Sequence, residues 1–329
     1  MLSIRENFMR LIRCEMPEYV STYSLYWGMH GPSVFREGRN PDGTGKDMFG
    51  VEWVIDNSAF QAALPKPGDF VLDDIRKWRD VIQLMDLSGV DWEAMAKKDC
   101  ESRDPDIPFG AAAEPSIGFF QTLMALMGFT NGLVACFEEP EEVKALMEYL
   151  CDYTLESAKN VIHYYKPDYG LLGDDIAHER NPFISLPMFR ELFVPSWSRY
   201  TKIFREAGLP VVHHNCGHFE EFVPEIVDMG ITAWDPVQPS NDAVAIKAKY
   251  GSKLALCGAW VGKRPNAMGP DAKEEEVRAS VKTTLDTFAP GGGFAVTGIS
   301  MIRSEDPIIQ RRNDWVNDEY EKLKFTYYN

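Results

Sequence analysis

The chain has 329 residues and no apolar run near the roughly 18–20 residues that a membrane-spanning helix needs. Its opening stretch, MLSIRENFMRLIRCEMPE, carries charges where a secretory signal would be uniformly apolar, so a cytoplasmic protein is expected. The 6 cysteines (Cys14, Cys100, Cys136, Cys151, Cys216, Cys257) show no CxxC spacing, which suits reduced thiols better than a disulfide framework. Positive charge is scarce: 34 Lys and Arg stand against 50 Asp and Glu, a formal net charge of -16 at pH 7. Nucleic-acid binding depends on Lys and Arg neutralising phosphates, so that balance argues against it. There is no low-complexity segment, no obvious repeat, and no Gly-rich phosphate loop near the first strand of the kind an open dinucleotide-binding sheet carries.

What is present is enough apolar side chain, 45% of residues with 12% aromatic, to bury a large core without staples. From residue 138 onward, strand-length apolar runs alternate with amphipathic helical stretches. The pattern predicts a long helix over 138–165, then strands at 168–175, 209–215, 231–236, 253–260 and 292–298, with helices between them. Further strands are expected at 19–27 and within DIPFGAAAEP. So many strand and helix units in a chain of this length predict a single-domain (β/α)8 TIM barrel covering 1–329. In a barrel the C-terminal strand ends gather at one face, here Trp27 to His30, Asp174 and Asp175, His214 to Cys216, Trp234 to Gln238, Cys257 to Trp260, and Thr297 to Ser300.

The stretch VVHHNCGHFE (211–220) is the densest in chemistry. On extended chain His214 and Cys216 point to the same side, as joint metal ligation requires, while His213 points to the other. Metal ligands, other polar pocket groups and packing all remain open for the pair. His218 opens the next helix and reads as a cap or solvent group. Asp174 and Asp175 at a strand end read as general acids or metal ligands, with a helix cap or turn as the bland alternative. His178 and Arg180 follow as candidate holders of a substrate carboxylate, and Glu114 is a weaker acid candidate.

RENFMRLIRCEMPEYVSTYSLYW, GDDIAHERNPFISLPMFRELFVPSW, GLPVVHHNCGHFEEFVPEIVDMGITAWDP and KYGSKLALCGAW, in that order and spacing, resemble the uroporphyrinogen decarboxylase superfamily. The resemblance covers most of the chain and implies a single TIM barrel with an N-terminal helical extension. The superfamily holds both porphyrinogen decarboxylases and corrinoid-dependent methyltransferases. The decarboxylase branch clamps its polycarboxylate with arginines near the first strand, where this chain reads YWGMHGPSVF and supplies His30 but no arginine before Arg36.

The methyltransferase branch is therefore expected, with Tyr26, Trp27, Trp234 and Trp260 as an apolar box and His30, His178, Arg180 and Gln238 as further substrate contacts. The resemblance implies zinc at His214 and Cys216. The family's later ligands fall at Ser300 and Gln238, which are poor zinc ligands, and this leaves three alternatives: a rebuilt zinc site completed by Cys257, Asp174, Asp175 or His213, a weak or absent metal, or a different role for the pair. The activity implied is first-component methyl transfer in an O-demethylase system, from a small donor such as a methoxylated aromatic to the cob(I)amide of a separate corrinoid-binding protein, with Asp174, Asp175 and His214 catalytic. Alternatives are a zinc-dependent methylcobamide:thiol methyltransferase, a uroporphyrinogen-type decarboxylase and a non-catalytic binding barrel. A small methylated substrate and a corrinoid protein are the expected partners, with no nucleic acid and no membrane, and with a homodimer left open.

Overall fold

The computed structural model describes residues 1–29, 31–56, 62–263, 268–269, 271–296 and 306–328. The order of elements begins with helix α1 (Ile4–Ile12), capped by reciprocal hydrogen bonds between Ser3 and Glu6. The predicted strand at 19–27 is broken. Strand β1 (Ser21–Thr22) gives way to a short 3-10 turn at Leu25–Trp27 and then to β2 (Gly28–Met29). An antiparallel sheet of β3 (Gly45–Lys46), β4 (Glu52–Asp56) and β5 (Ala62–Pro65) follows as an insertion.

The remaining strands are β6 (Gly110–Ala111), β7 (Tyr169–Gly173), β8 (Val211–His214), β9 (Ala233–Asp235), β10 (Ala255–Cys257) and β11 (Phe294–Val296). They form one parallel sheet of order β1-β11-β10-β9-β8-β7-β6-β2. Its two edge strands come from one short segment, so the sheet curls until its ends approach. This is a curled parallel α/β sheet compatible with a TIM-like barrel. Among the described residues the closed eight-stranded barrel expected from the sequence is not formed, because no ladder joins β1 to β2.

Side chains alternate along these strands between two cores. Tyr169, Leu171, Val212, Ala233, Cys257 and Ala295 face the inside of the curl, where Phe8, Leu11 and Ile12 of α1 fill its N-terminal end. Val211, Trp234, Leu256 and Phe294 face outward into the larger core beneath the helices. The predicted helix at 138–165 is α-helical from Pro140 to Asn160 and ends in a π turn. The helical stretch after Ser185 splits into Leu186–Leu192 and Val194–Glu206, because Pro195 has no N–H and fits only in the first turn of a new helix. No single helix among the described residues is long and apolar enough to cross a membrane.

Candidate functional site

Parallel pairing of β7 with β8 sets Gly173 beside His214, so the loops leaving these two strands lie side by side. They are stitched together by the backbone N–H of Asp174, which donates to the carbonyl of His214 at 3.1 Å, and by the Asn215 side chain, which donates to the carbonyl of Asp174. The backbone N–H of Cys216 donates to Oδ1 of Asp175 at 2.6 Å. One ligand atom from each of Asp175, His214 and Cys216 then falls within 4.8 Å of the others, and all three residues are half-buried. Cys216 Sγ lies 3.8 Å from His214 Nε2. Tetrahedral zinc with Zn–N and Zn–S bonds of about 2.1 and 2.3 Å would hold such atoms about 3.6 Å apart.

A nitrogen, a sulfur and a carboxylate oxygen form a donor set that zinc accepts, and three protein ligands leave room for a fourth. The residues therefore fit the metal. Burial by itself would lower the pKa of His214, but hydrogen bonding to Asp235, the contact with Cys216 and the charge of Asp175 outweigh it and raise the imidazole well above its usual range. Burial raises the Cys216 thiol, and His214 opposes that shift. A metal entering here must displace both protons.

Asp174, expected as a general acid or metal ligand, turns into the protein and accepts hydrogen bonds there. It is fully buried. Oδ2 accepts from the backbone N–H groups of Phe119 and Phe120, each at 2.9 Å, and from Trp197 Nε1 at 3.0 Å, while Oδ1 accepts from the N–H of Gln121 at 2.9 Å. It is a cap supplied from a distance to the helix Phe119–Met127, whose own N-cap is Gly118. Gly118 has φ +91°, and a Cβ there would sit 2.2 Å from the carbonyl of Gly173, so no residue with a side chain could bring its own cap. Burial raises the Asp174 carboxyl to about 7 against the pull of these donors.

A cavity of about 560 Å³ opens beside His214. Its walls include Leu25, Phe35, Pro115, Ile117 and Leu171, with Gln121 and Glu114 as polar members. Gln121 Oε1 accepts from the N–H of Asp175 at 2.9 Å and so ties the wall to the cluster. The segment before the insertion supplies Arg36 and Arg39, which corrects the expectation of a pocket lacking arginine. Glu114 is buried, with Oε2 held by Tyr200 Oη and the Ala113 N–H, each at 2.9 Å. Burial pushes its carboxyl up to about 7.

Other expected site residues lie elsewhere. Cys257, expected as a metal ligand, is fully buried in the inner core and lies outside the three-residue cluster found among the described residues. Trp234 is on the outer face of β9, fully buried, its Nε1 donating to the carbonyl of Asn215. Trp260 is buried in the outer core, while Trp27 packs edge-on against Phe8 and Tyr23, so the three described tryptophans of the expected aromatic box do not meet in one place. The side chain of Tyr26, together with His30 and Ser300, lies outside the described residues.

His178 and Arg180 are exposed on a turn and do not line the cavity. Gln238 holds the loop after the cluster, accepting from the Gly217 N–H at 3.1 Å. His213 is buried against Trp197 and Phe219, and burial lowers its pKa to about 3. His218 bonds the carbonyl of Ser240 at 2.7 Å. Asp235 was missed by the sequence reading. The signal was alternation from Ala233, which puts Asp235 on the inner face opposite His214, where its Oδ2 lies 3.0 Å from His214 Nδ1.

A curled parallel α/β sheet with an imidazole, a thiol and a carboxyl gathered at its C-terminal end defines the class. Residues 105–298, well over half of the chain, match the model of the uroporphyrinogen decarboxylase (URO-D) family, and the chain belongs to that family. A methyltransferase from Methanosarcina mazei shares the fold, with a TM-score of 0.64 at 13% sequence identity, over 98% of this chain and 99% of that one. No curated protein sequence matches the chain.

Proposed function

We propose that the protein is a methyltransferase that moves a methyl group from a small donor, a methoxylated aromatic first among them, to the cob(I)amide of a separate corrinoid protein. The observation that carries this reading is the convergence of Asp175, His214 and Cys216 beside a largely apolar cavity. Family membership and a fold shared with a methyltransferase support it. A methyl–oxygen bond breaks slowly when the oxygen must leave as a bare phenoxide, so the site must supply a proton or a Lewis acid there.

Asp175, His214 and Cys216 would hold zinc, which when bound supplies that Lewis acidity. The chain's own residues orient the donor: Leu25, Phe35, Ile117 and Leu171 bind its apolar body and exclude water. The C–O bond breaks with its electrons left on oxygen, the electron pair of the cob(I)amide forms the new bond to the methyl, and the phenoxide takes a proton from water as the phenol departs. Cob(I)alamin and zinc-loaded protein, given methoxylated aromatics and then methylated amines and thiols, should form methylcobalamin, read from its absorption spectrum. No methylcobalamin from any of these donors removes the reading.

Arg36 and Arg39 on the cavity wall favour porphyrinogen decarboxylation as the second reading. Carbon dioxide release from a porphyrinogen, with no methyl transfer, would install it.

A further inference from the structure

We propose that Asp235 is a positioning residue that fixes the His214 ring so that Nε2 faces Cys216 and Asp175. The inference rests on the metal site read above. Strand pairing sets His214 directly across from Asp235, and both side chains face the inside of the curl. Oδ2 of Asp235 lies 3.0 Å from Nδ1 of His214, while the other ring nitrogen, Nε2, is the one 3.8 Å from Cys216 Sγ.

The Asp235 side chain is only 3% exposed, and His214 is its sole ion-pair partner among the described residues. Beneath the pair lie Tyr23, Tyr169 and Cys257, none of them cationic. A carboxylate buried in such surroundings keeps its one partner, because losing it would leave an uncompensated charge in low dielectric. A ring whose Nδ1–H is committed to a carboxylate carries its lone pair on Nε2, the tautomer that ligation at the cluster requires. Among the described residues neither a helix cap nor a turn uses the Asp235 carboxylate, so ring orientation is the task its geometry leaves.

The test uses Asp235→Asn and Asp235→Leu in the full chain, with Co(II) and Zn(II) as probes. Wild type should take up Co(II) with a thiolate charge-transfer band from Cys216. Asp235→Asn should weaken Zn(II) binding by about 10-fold, since an amide oxygen still accepts from Nδ1–H, and Asp235→Leu by up to about 100-fold. In a His214→Ala background the same Asp235 changes should cost less than about 2-fold further, because no ring remains to orient.

An equal loss in both backgrounds would mean that Asp235 only supports the strand ends, and the proposal falls while the metal site stands. Failure of wild type to bind Co(II) or Zn(II) overturns the metal site itself. The ¹⁵N spectrum of His214 in metal-free protein, at a pH above its pKa, then decides the ring's orientation. An Nδ1–H tautomer that is lost in Asp235→Leu supports positioning, and an Nε2–H tautomer in wild type overturns it.

Discussion

Asp174 and Asp175 are chemically identical neighbours, yet they serve different parts of the molecule. The first turns into the protein and accepts four N–H donors around one helix start, while the second turns to the rim and joins His214 and Cys216. His213 and His214 repeat the contrast one strand away, with His213 packed behind the sheet and His214 facing the cluster. Residue type alone therefore assigns no role here. The direction in which the backbone sends each side chain does.

The strongest way to break this comparison is at the histidines and the cysteine. His214→Ala and Cys216→Ala should each lower Zn(II) affinity on the order of 100-fold or more in chelator competition, because each removes one of three protein ligands. His213→Gln should leave it unchanged. Since the metal displaces protons from an imidazole raised well above its usual range and from a raised thiol, affinity should also fall steadily as pH falls. Zinc binding that is lost equally at 213 and 214 would erase the distinction between the two faces.

The aspartates should separate by kind of damage. Asp174→Asn places an NH₂ group against backbone N–H donors and should cost on the order of 3 kcal/mol of stability in urea unfolding, with metal affinity retained by the folded fraction. Asp175→Asn should leave stability within about 0.5 kcal/mol but weaken Zn(II) binding and, through the lost Lewis acid, slow methyl transfer on the order of 100-fold. A stable but inactive Asp174→Asn would return that residue to the site.

Glu114 sharpens the comparison through pH. Its folded-state pKa of about 7 lies above the ordinary 4.5, so the folded protein holds this proton more tightly than the unfolded chain does. The group therefore adds stability as pH falls from about 7 towards 4.5, and that contribution disappears as pH rises through 7. Glu114→Gln should flatten this part of the stability profile, a change on the order of 3 kcal/mol across the window. An unaltered slope would assign it to Asp174, whose shift has the same direction.

The smallest effect is expected at the exposed turn. His178→Ala and Arg180→Ala should change stability by less than about 0.5 kcal/mol and leave donor affinity unchanged in a binding titration. A clear loss of affinity would bring that turn into the pocket.

Much of the site was legible because a strand has a period of two. The one-residue gap between His214 and Cys216 put both on one side, and the same rule sent His213 behind the sheet. The rule also carried the information for Asp235 and against Trp234, but grouping 234–238 as a single strand end ignored the parity that separates them. Asp174 was not legible, because its partners lie in a helix start more than fifty residues earlier in the chain. Cys257 shares the inner face with His214 but lies within the buried inner core rather than at the rim, a matter of depth that a linear pattern does not carry.

By itself, then, the sequence determined the alternation of strands and helices, the family likeness, and the pairing of His214 with Cys216, because each is written in local period and spacing. Only the tertiary structure decided that Asp175 completes the cluster, that Asp174 caps a helix, that Asp235 stands behind His214, and that arginines from 36 and 39 reach the cavity. Those outcomes depend on strand register and on loops meeting across long sequence separations, where a shift of one residue reverses every side chain.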